Sequence, residues 1–334
     1  MATMSAEPAL HTRDLRKSFR TKRQTVEAVR GIDLEVRPGE IFGFLGPNGA
    51  GKTTTLRMLA TLLPVGGGEA TVAGVDVRRK PHEVRRHIGY VGQLGGTDLP
   101  ATGRENLLLQ GRLHGAGRSE ATRRAEELIE LLELTEFADR IARTYSGGQR
   151  RRLDVALGIM HRPLVLFLDE PTTGLDPQNR ANLWDQLRTL RALGMTIFLT
   201  THYLEEADAL SDRLAIIDHG RIVSEGTPRE LKRRVAGETV LITPRRGTDA
   251  IDGLCGDLAR EPFVEAARVE GGTVRVSVAD PAHAMPAILG LLQRTGVQLE
   301  SVARWEPSLD DVFLRQTGRS LRDAGREIDG EEVA

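Results

Sequence analysis

Eight residues, Gly46-Pro-Asn-Gly-Ala-Gly-Lys52-Thr53, restrict what this chain can fold into more than any other segment. They have the form GxxxxGKT. The apolar run Ile41–Leu45 before them reads as a short buried strand, and Leu56, Leu59 and Leu63 after them recur at helical spacing as far as Pro64. Strand, glycine loop and helix in that order make a phosphate cradle. The loop of Gly46, Pro47, Asn48, Gly49, Ala50 and Gly51 can turn amides inward, and the helix start adds positive potential. Lys52 is expected to reach the outer phosphates, and Thr53, with Thr54 beside it, to offer a hydroxyl toward Mg²⁺. An incidental glycine turn would explain neither the strand nor the helix.

The complementary piece is Leu164-Val-Leu-Phe-Leu-Asp169-Glu170. An apolar strand here delivers two carboxylates at its carboxyl end, where open α/β sheets bind ligands. Asp169 is expected to hold Mg²⁺ and Glu170 to aim the attacking water. Alone, such a pair is often only a solvated strand end; its meaning comes from occurring with the cradle.

The rest of the chain supplies an α/β frame. Segments near Leu10–Lys17 and Val26–Val36 read as strands, and 104–140 as helical with Leu128, Leu131, Leu132 and Leu134 on an apolar face. Thr196–Thr200 reads as a further buried strand after a helix around Arg180–Leu193. Beyond Gly237 the texture changes to β-α-β-β-α-β, the order of a small α+β ferredoxin-like domain, with Gly271-Gly272 as its hairpin turn. The closing residues, 319–334, read as a disordered polar tail.

Composition excludes more than it identifies. Lys and Arg number 46 against 47 Asp and Glu, a net charge of −1, so no bulk polyanion affinity is implied. The one cysteine, Cys255, permits no internal disulfide and fits a small core residue in a reducing compartment. The N-terminus carries no signal-peptide pattern, and no apolar run reaches the ~20 residues needed to cross a bilayer. The histidines show no metal-ligand spacing.

With Ser146-Gly147-Gly148-Gln149 lying between cradle and carboxylates, residues 8–236 resemble the ATP-binding subunits of ABC transporters. The resemblance implies a P-loop ABC ATPase domain, a mixed sheet with a helical subdomain near 94–160, followed by the accessory domain at 237–318. It implies ATP and Mg²⁺ as cofactors. It further implies Phe19 stacked on adenine, although simple packing would also suit that aromatic. Gln93 would contact Mg²⁺, Asp176, in Gly174-Leu-Asp176, would lie in the D-loop of the nucleotide site, and His202 would hold the γ-phosphate as a catalytic partner of Lys52 and Glu170. Ser146, Gly147, Gly148 and Gln149 would close over a nucleotide held by another subunit. Tyr145 departs from the family's usual leucine. Arg150–Arg152 read better as a solvated helix face than as a nucleic-acid patch.

One cradle and one signature loop in one chain imply a pair, a homodimer or two related subunits. The resemblance then implies a transport motor on the cytoplasmic side of the membrane, peripheral to separate integral-membrane permease subunits, with no nucleic-acid partner. The alternative is a soluble ABC ATPase acting on ribosomes or DNA, but no tandem repeat, heptad stretch or cysteine pair supports it. An importer ATPase is the other alternative. Thr102-Gly-Arg-Glu-Asn-Leu107 and Trp305-Glu-Pro-Ser-Leu-Asp-Asp-Val-Phe313 resemble the daunorubicin-resistance group, which implies export of hydrophobic drugs, antibiotics or lipids.

Overall fold

Continuous apolar strands must be covered on both faces, and the arrangement of the first unit follows from that need. The computed structural model describes residues 7–20, 24–235, 238–245, 251–278, 280–295, 297–305 and 307–321. The described residues form two compact units, one of residues 7–228 with Leu321, the other of residues 229–320.

In the first unit the elements run β1 (Leu10–Arg20), β2 (Thr25–Val36), β3 (Ile41–Leu45), α1 (Lys52–Leu59), β4 (Gly67–Val72), β5 (Val75–Asp76), α2 (Pro81–His87) and β6 (Ile88–Val91). Then come α3 (Gly103–Leu113), α4 (Arg118–Leu131), α5 (Gly147–Gly158), β7 (Val165–Asp169), α6 (Pro177–Ala192), β8 (Thr196–Thr201), α7 (Leu204–Leu210), β9 (Arg213–Asp218) and β10 (Arg221–Gly226). One sheet has the order β10-β9-β3-β8-β7-β6, and an antiparallel sheet has the order β2-β1-β4-β5. β3, β8 and β7 are parallel neighbours, so their carboxyl ends lie side by side.

Alternation along these strands fills two cores. Phe42, Phe44, Phe167 and Phe198 point to one face, with Leu56 and Met58 of α1. Ile41, Leu166, Leu168, Ile197 and Leu199 point to the other, against Leu128, Leu153, Leu183 and Leu187 of the covering helices. The rings of Phe42 and Phe198 stack at 5.9 Å between centroids. Each such fully buried side chain contributes about 1.5–3 kcal/mol, so these two layers dominate the unit's stability.

α8 (Pro228–Val235) leads into the second unit, so the division falls after Pro228, just ahead of the boundary expected from sequence. The second unit continues with β11 (Glu238–Pro244), α9 (Ile251–Ala259), β12 (Val264–Glu270), β13 (Thr273–Val278), α10 (Pro281–Thr295), β14 (Leu299–Trp305) and α11 (Leu309–Thr317). Its antiparallel sheet, order β12-β13-β11-β14, is the ferredoxin-like arrangement the element order implied. Val240, Ile242, Leu258, Val276 and Ile288 form its core. Residues 322–334 of the expected polar tail lie outside the described residues.

Candidate nucleotide site

The loop between β3 and α1 crosses the carboxyl ends of the parallel strands. Gly51 makes it possible: its φ is +104°, and a Cβ there would lie 2.4 Å from the carbonyl oxygen of Ala28 on β2. Both the dihedral and the space exclude any other residue. Lys52 opens α1 yet is only 4% exposed. Its Nζ donates to the carbonyls of Gly46 at 2.8 Å and Pro47 at 3.0 Å. It also lies 3.5 Å from Glu170 Oε1. Burial lowers the Lys52 ammonium pKa, and Glu170 and Asp169 oppose that shift.

Asp169 is fully buried at the end of β7. Its Oδ1 accepts from Thr53 Oγ1 at 3.0 Å and from Thr200 Oγ1 at 2.7 Å. Its Oδ2 is buried with no partner among the described residues. A buried carboxylate oxygen without a donor is costly unless a cation completes it. With the Thr53 hydroxyl adjoining, the donor set is hard oxygen and fits Mg²⁺.

Glu170 follows at φ +46°, a left-handed conformation seldom adopted by a residue with a Cβ. Its amide donates to Thr200 Oγ1 at 3.1 Å. The side chain is thereby carried toward Lys52 and His202, whose Nδ1 lies 3.2 Å from Glu170 Oε2. Burial acts to raise the Glu170 carboxyl, but His202 and then Lys52 outweigh it and hold it below the ordinary carboxylate range. Lys52, Thr53, Asp169, Glu170 and His202 thus form one connected constellation, supported by Thr200, which the sequence reading did not single out. Its position at the end of the strand between β3 and β7 was the available signal.

The remaining expected residues are placed elsewhere. Asn48 and Gly49 are exposed on the cradle, Ala50 is buried in it, and Thr54 is half-buried on α1. Phe19 is 38% exposed and pairs with Val26 of β2, the strand that backs the cradle at Ala28. Lys17 Nζ stands 5.5 Å over its ring. Gln93 is exposed on the turn after β6 and makes no side-chain hydrogen bond among the described residues. It lines a groove with Arg57, Tyr90 and His114. Asp176 caps α6, accepting from Asn179 N at 2.9 Å, and that bond holds its carboxyl below the ordinary range.

Ser146 and Gly147 are exposed at the start of α5, whereas Gly148 is buried. Ser146 Oγ accepts from Gln149 N at 3.2 Å, while Gln149 Oε1 accepts from Ser146 N at 3.0 Å, a reciprocal cap. No described hydrogen bond joins this loop to the cradle of the same chain. Tyr145 replaces the family's leucine by packing its ring edge-on to Phe137 at 4.9 Å and donating from its hydroxyl to the Phe137 carbonyl. The expectation of a solvated Arg150–Arg152 face fails at Arg151, which is 7% exposed. Its guanidinium turns inward because three backbone carbonyls await donors there.

Residues 29–173 match the family model described as ABC transporter, and residues 226–317 match that of the ATP-binding protein DrrA1-3-like C-terminal domain. The chain is 46% identical over 313 residues to the daunorubicin resistance ATP-binding protein DrrA2 of Streptomyces coeruleorubidus, covering 93% of this chain and 95% of that one. It is 44% identical to the daunorubicin/doxorubicin resistance ATP-binding protein DrrA of Streptomyces peucetius, over 98% of this chain and 99% of the relative. Against the linearmycin resistance ATP-binding protein LnrL of Bacillus subtilis the identity is 35%, over 94% and 100%. Among solved structures, cbiO1 from Clostridium perfringens, part of an ABC transporter complex, superposes with a TM-score of 0.61 at 25% identity, covering 68% of this chain and 91% of that one. A dimeric ATP-binding cassette in a post-hydrolysis state with ADP and phosphate gives a TM-score of 0.60 at 24% identity, covering 65% and 98%.

Proposed function

The chain belongs to the ABC transporter ATP-binding proteins and carries their DrrA-like C-terminal domain; from that premise we propose that it is the ATP-driven motor of a drug or antibiotic exporter. The observation that carries the catalytic reading is the convergence of Lys52, Glu170 and His202 within 3.5 Å contacts around one carboxylate. The export reading is supported by relatives named for resistance to daunorubicin, doxorubicin and linearmycin. No helix among the described residues is long and apolar enough to cross a membrane, so the permease would be a separate subunit and this chain a peripheral one.

ATP would lie on the cradle with Lys52 moving from its carbonyl partners to the outer phosphates. Thr53 and Asp169 would hold Mg²⁺, which supplies charge neutralisation of the phosphate oxygens. Glu170, kept ionised below its usual range, would accept the proton of the attacking water, and His202 would both position Glu170 and face the γ-phosphate. Among the described residues no hydrogen bond joins the signature loop to the cradle of its own chain, and this supports pairing with a second ATP-binding subunit, so that each Ser146 would serve the partner's nucleotide.

Glu170→Gln tests the reading. The variant should bind ATP as before and turn over about 10²–10⁴-fold more slowly, and it should accumulate as an ATP-held dimer on size-exclusion chromatography. Near-parental hydrolysis by this variant would remove Glu170 from the role of base.

A further inference from the structure

α5 carries more than the signature loop at its tip. One turn beyond the cap, Arg151 sends its guanidinium back under the nucleotide site. Its Nε donates to the Pro171 carbonyl at 2.7 Å and its Nη2 to the Asp169 carbonyl at 3.2 Å. Those two carbonyls flank Glu170 on either side, and Glu170 is the residue held at φ +46°. The third donor, Nη1, reaches the carbonyl of Gly92 at 2.7 Å, immediately before Gln93.

Asp154, three residues further along the same helix face, takes the far side of that loop. It accepts from the amides of Gly96 at 2.9 Å and Thr97 at 3.1 Å and from the Thr97 hydroxyl at 2.7 Å. It is 5% exposed. Entry and exit of the Gln93 loop are therefore both tied to α5. Burial of Arg151 lowers its pKa from the usual value, and Asp154, Glu206 and Asp169 oppose the shift. A planar fork that bonds three carbonyls in three directions is something lysine cannot reproduce.

We propose that Arg151 is a positioning residue for hydrolysis, fixing the left-handed backbone of Glu170 from both flanks and linking that conformation to the Gln93 loop and to the signature helix. Movement of α5 relative to β7 would then alter how the Glu170 carboxylate is aimed, without any contact between Arg151 and nucleotide. A strained dihedral persists only where the surroundings overdetermine it, and the two carbonyl bonds provide that constraint here. The inference rests on the role given to Glu170 above.

The experiment is a double-mutant cycle on the full chain, read by steady-state phosphate release and by binding of a fluorescent ATP analogue. Arg151→Lys keeps the charge but loses the fork. It should lower kcat about 10–100-fold with KM and analogue affinity within about twofold, because misaiming a catalytic group costs rate and not ground-state binding. In the Glu170→Gln background the same substitution should leave the residual rate unchanged, since the group it positions is already gone. Unchanged kcat in Arg151→Lys, a loss that recurs in full in the Glu170→Gln background, or a rise in KM alone would each overturn the proposal. Arg151→Gln provides the second variant. If both Arg151 variants fail to fold by circular dichroism, the residue is structural and the proposal falls. If Glu170→Gln alone hydrolyses at the parental rate, the fault lies with the Glu170 reading and not with Arg151.

Discussion

Individual side chains in this protein repeatedly have their titration set by what they are packed against. His161 shows it outside the nucleotide site. Its ring lies flat on His114, centroids 3.9 Å apart and planes within 3°, and its Nε2 is 2.9 Å from the Ile88 carbonyl. Burial first, then the neighbouring His114, lowers its pKa from 6.5 to about 4, against the pull of the Ile88 carbonyl. A base depressed on folding is protonated first in the unfolded chain. Its contribution to stability is therefore complete above the unfolded value of 6.5 and is lost progressively as pH falls toward about 4. His161→Gln should flatten that acid-side loss, seen as a smaller shift in urea midpoint between about pH 7 and pH 5 than the parent shows. Equal shifts would acquit His161. At this scale the residues that a motif names, Lys52, Thr53, Asp169 and Glu170, are ones the fold brings into contact. The sequence reading was blind to Arg151 and Thr200, because a side chain's value as a donor to distant carbonyls depends on which strands become neighbours. The polarity of an arginine triplet says only that solvent would suit it.

Elements carry the coupling. α5 begins with the Ser146 cap, and Gly148 in its first turn packs on the start of α6. A Cβ on Gly148 would lie 2.3 Å from Asn179 Cγ and 2.8 Å from its Cβ. Asn179 in turn donates to Asp176, the cap of α6. Alanine in a helix ordinarily gains about 1 kcal/mol over glycine, whereas overpacking costs about 1–3 kcal/mol. Gly148→Ala should therefore destabilise, by up to about 2 kcal/mol net in urea unfolding. A stabilised variant would show that Asn179 can withdraw freely. Helical spacing located α1 and α6 to within a few residues, and the buried strands β3, β7 and β8 were legible as apolar runs. The antiparallel strands β4, β5 and β10 were not read, since their short, largely half-buried sequences alternate weakly, and the short buried strand β9, parallel to β3, was not read either. The single helical stretch expected over 104–140 is divided, with α3 ending at Leu113 and α4 at Leu131. Gly115 and Gly117 lie between the two helices and interrupt the ladder.

For the molecule as a whole, the second unit has a core made from its own elements and none of the nucleotide-site residues. Ending the chain at Gly237 should leave ATP binding within about twofold of the parent, while altering dimer or permease association. Loss of nucleotide binding itself, measured with the same fluorescent analogue, would contradict that division of labour. The two-unit architecture was readable because the change from a parallel α/β rhythm to β-α-β-β-α-β is visible in the spacing of apolar residues. The point of division was less so: α8 is a charged helix with Leu231 as its buried anchor, and nothing in its composition says which neighbour it joins.

The left-handed turn at Glu170 has a bearing on how such proteins could be hardened. Glycine or asparagine would occupy that dihedral with less penalty, so screening variants for heat resistance alone would favour replacements there that relax the chain. On the role proposed for Glu170, each such gain in ruggedness would slow the motor, and any selection for thermotolerant exporters must score turnover alongside survival.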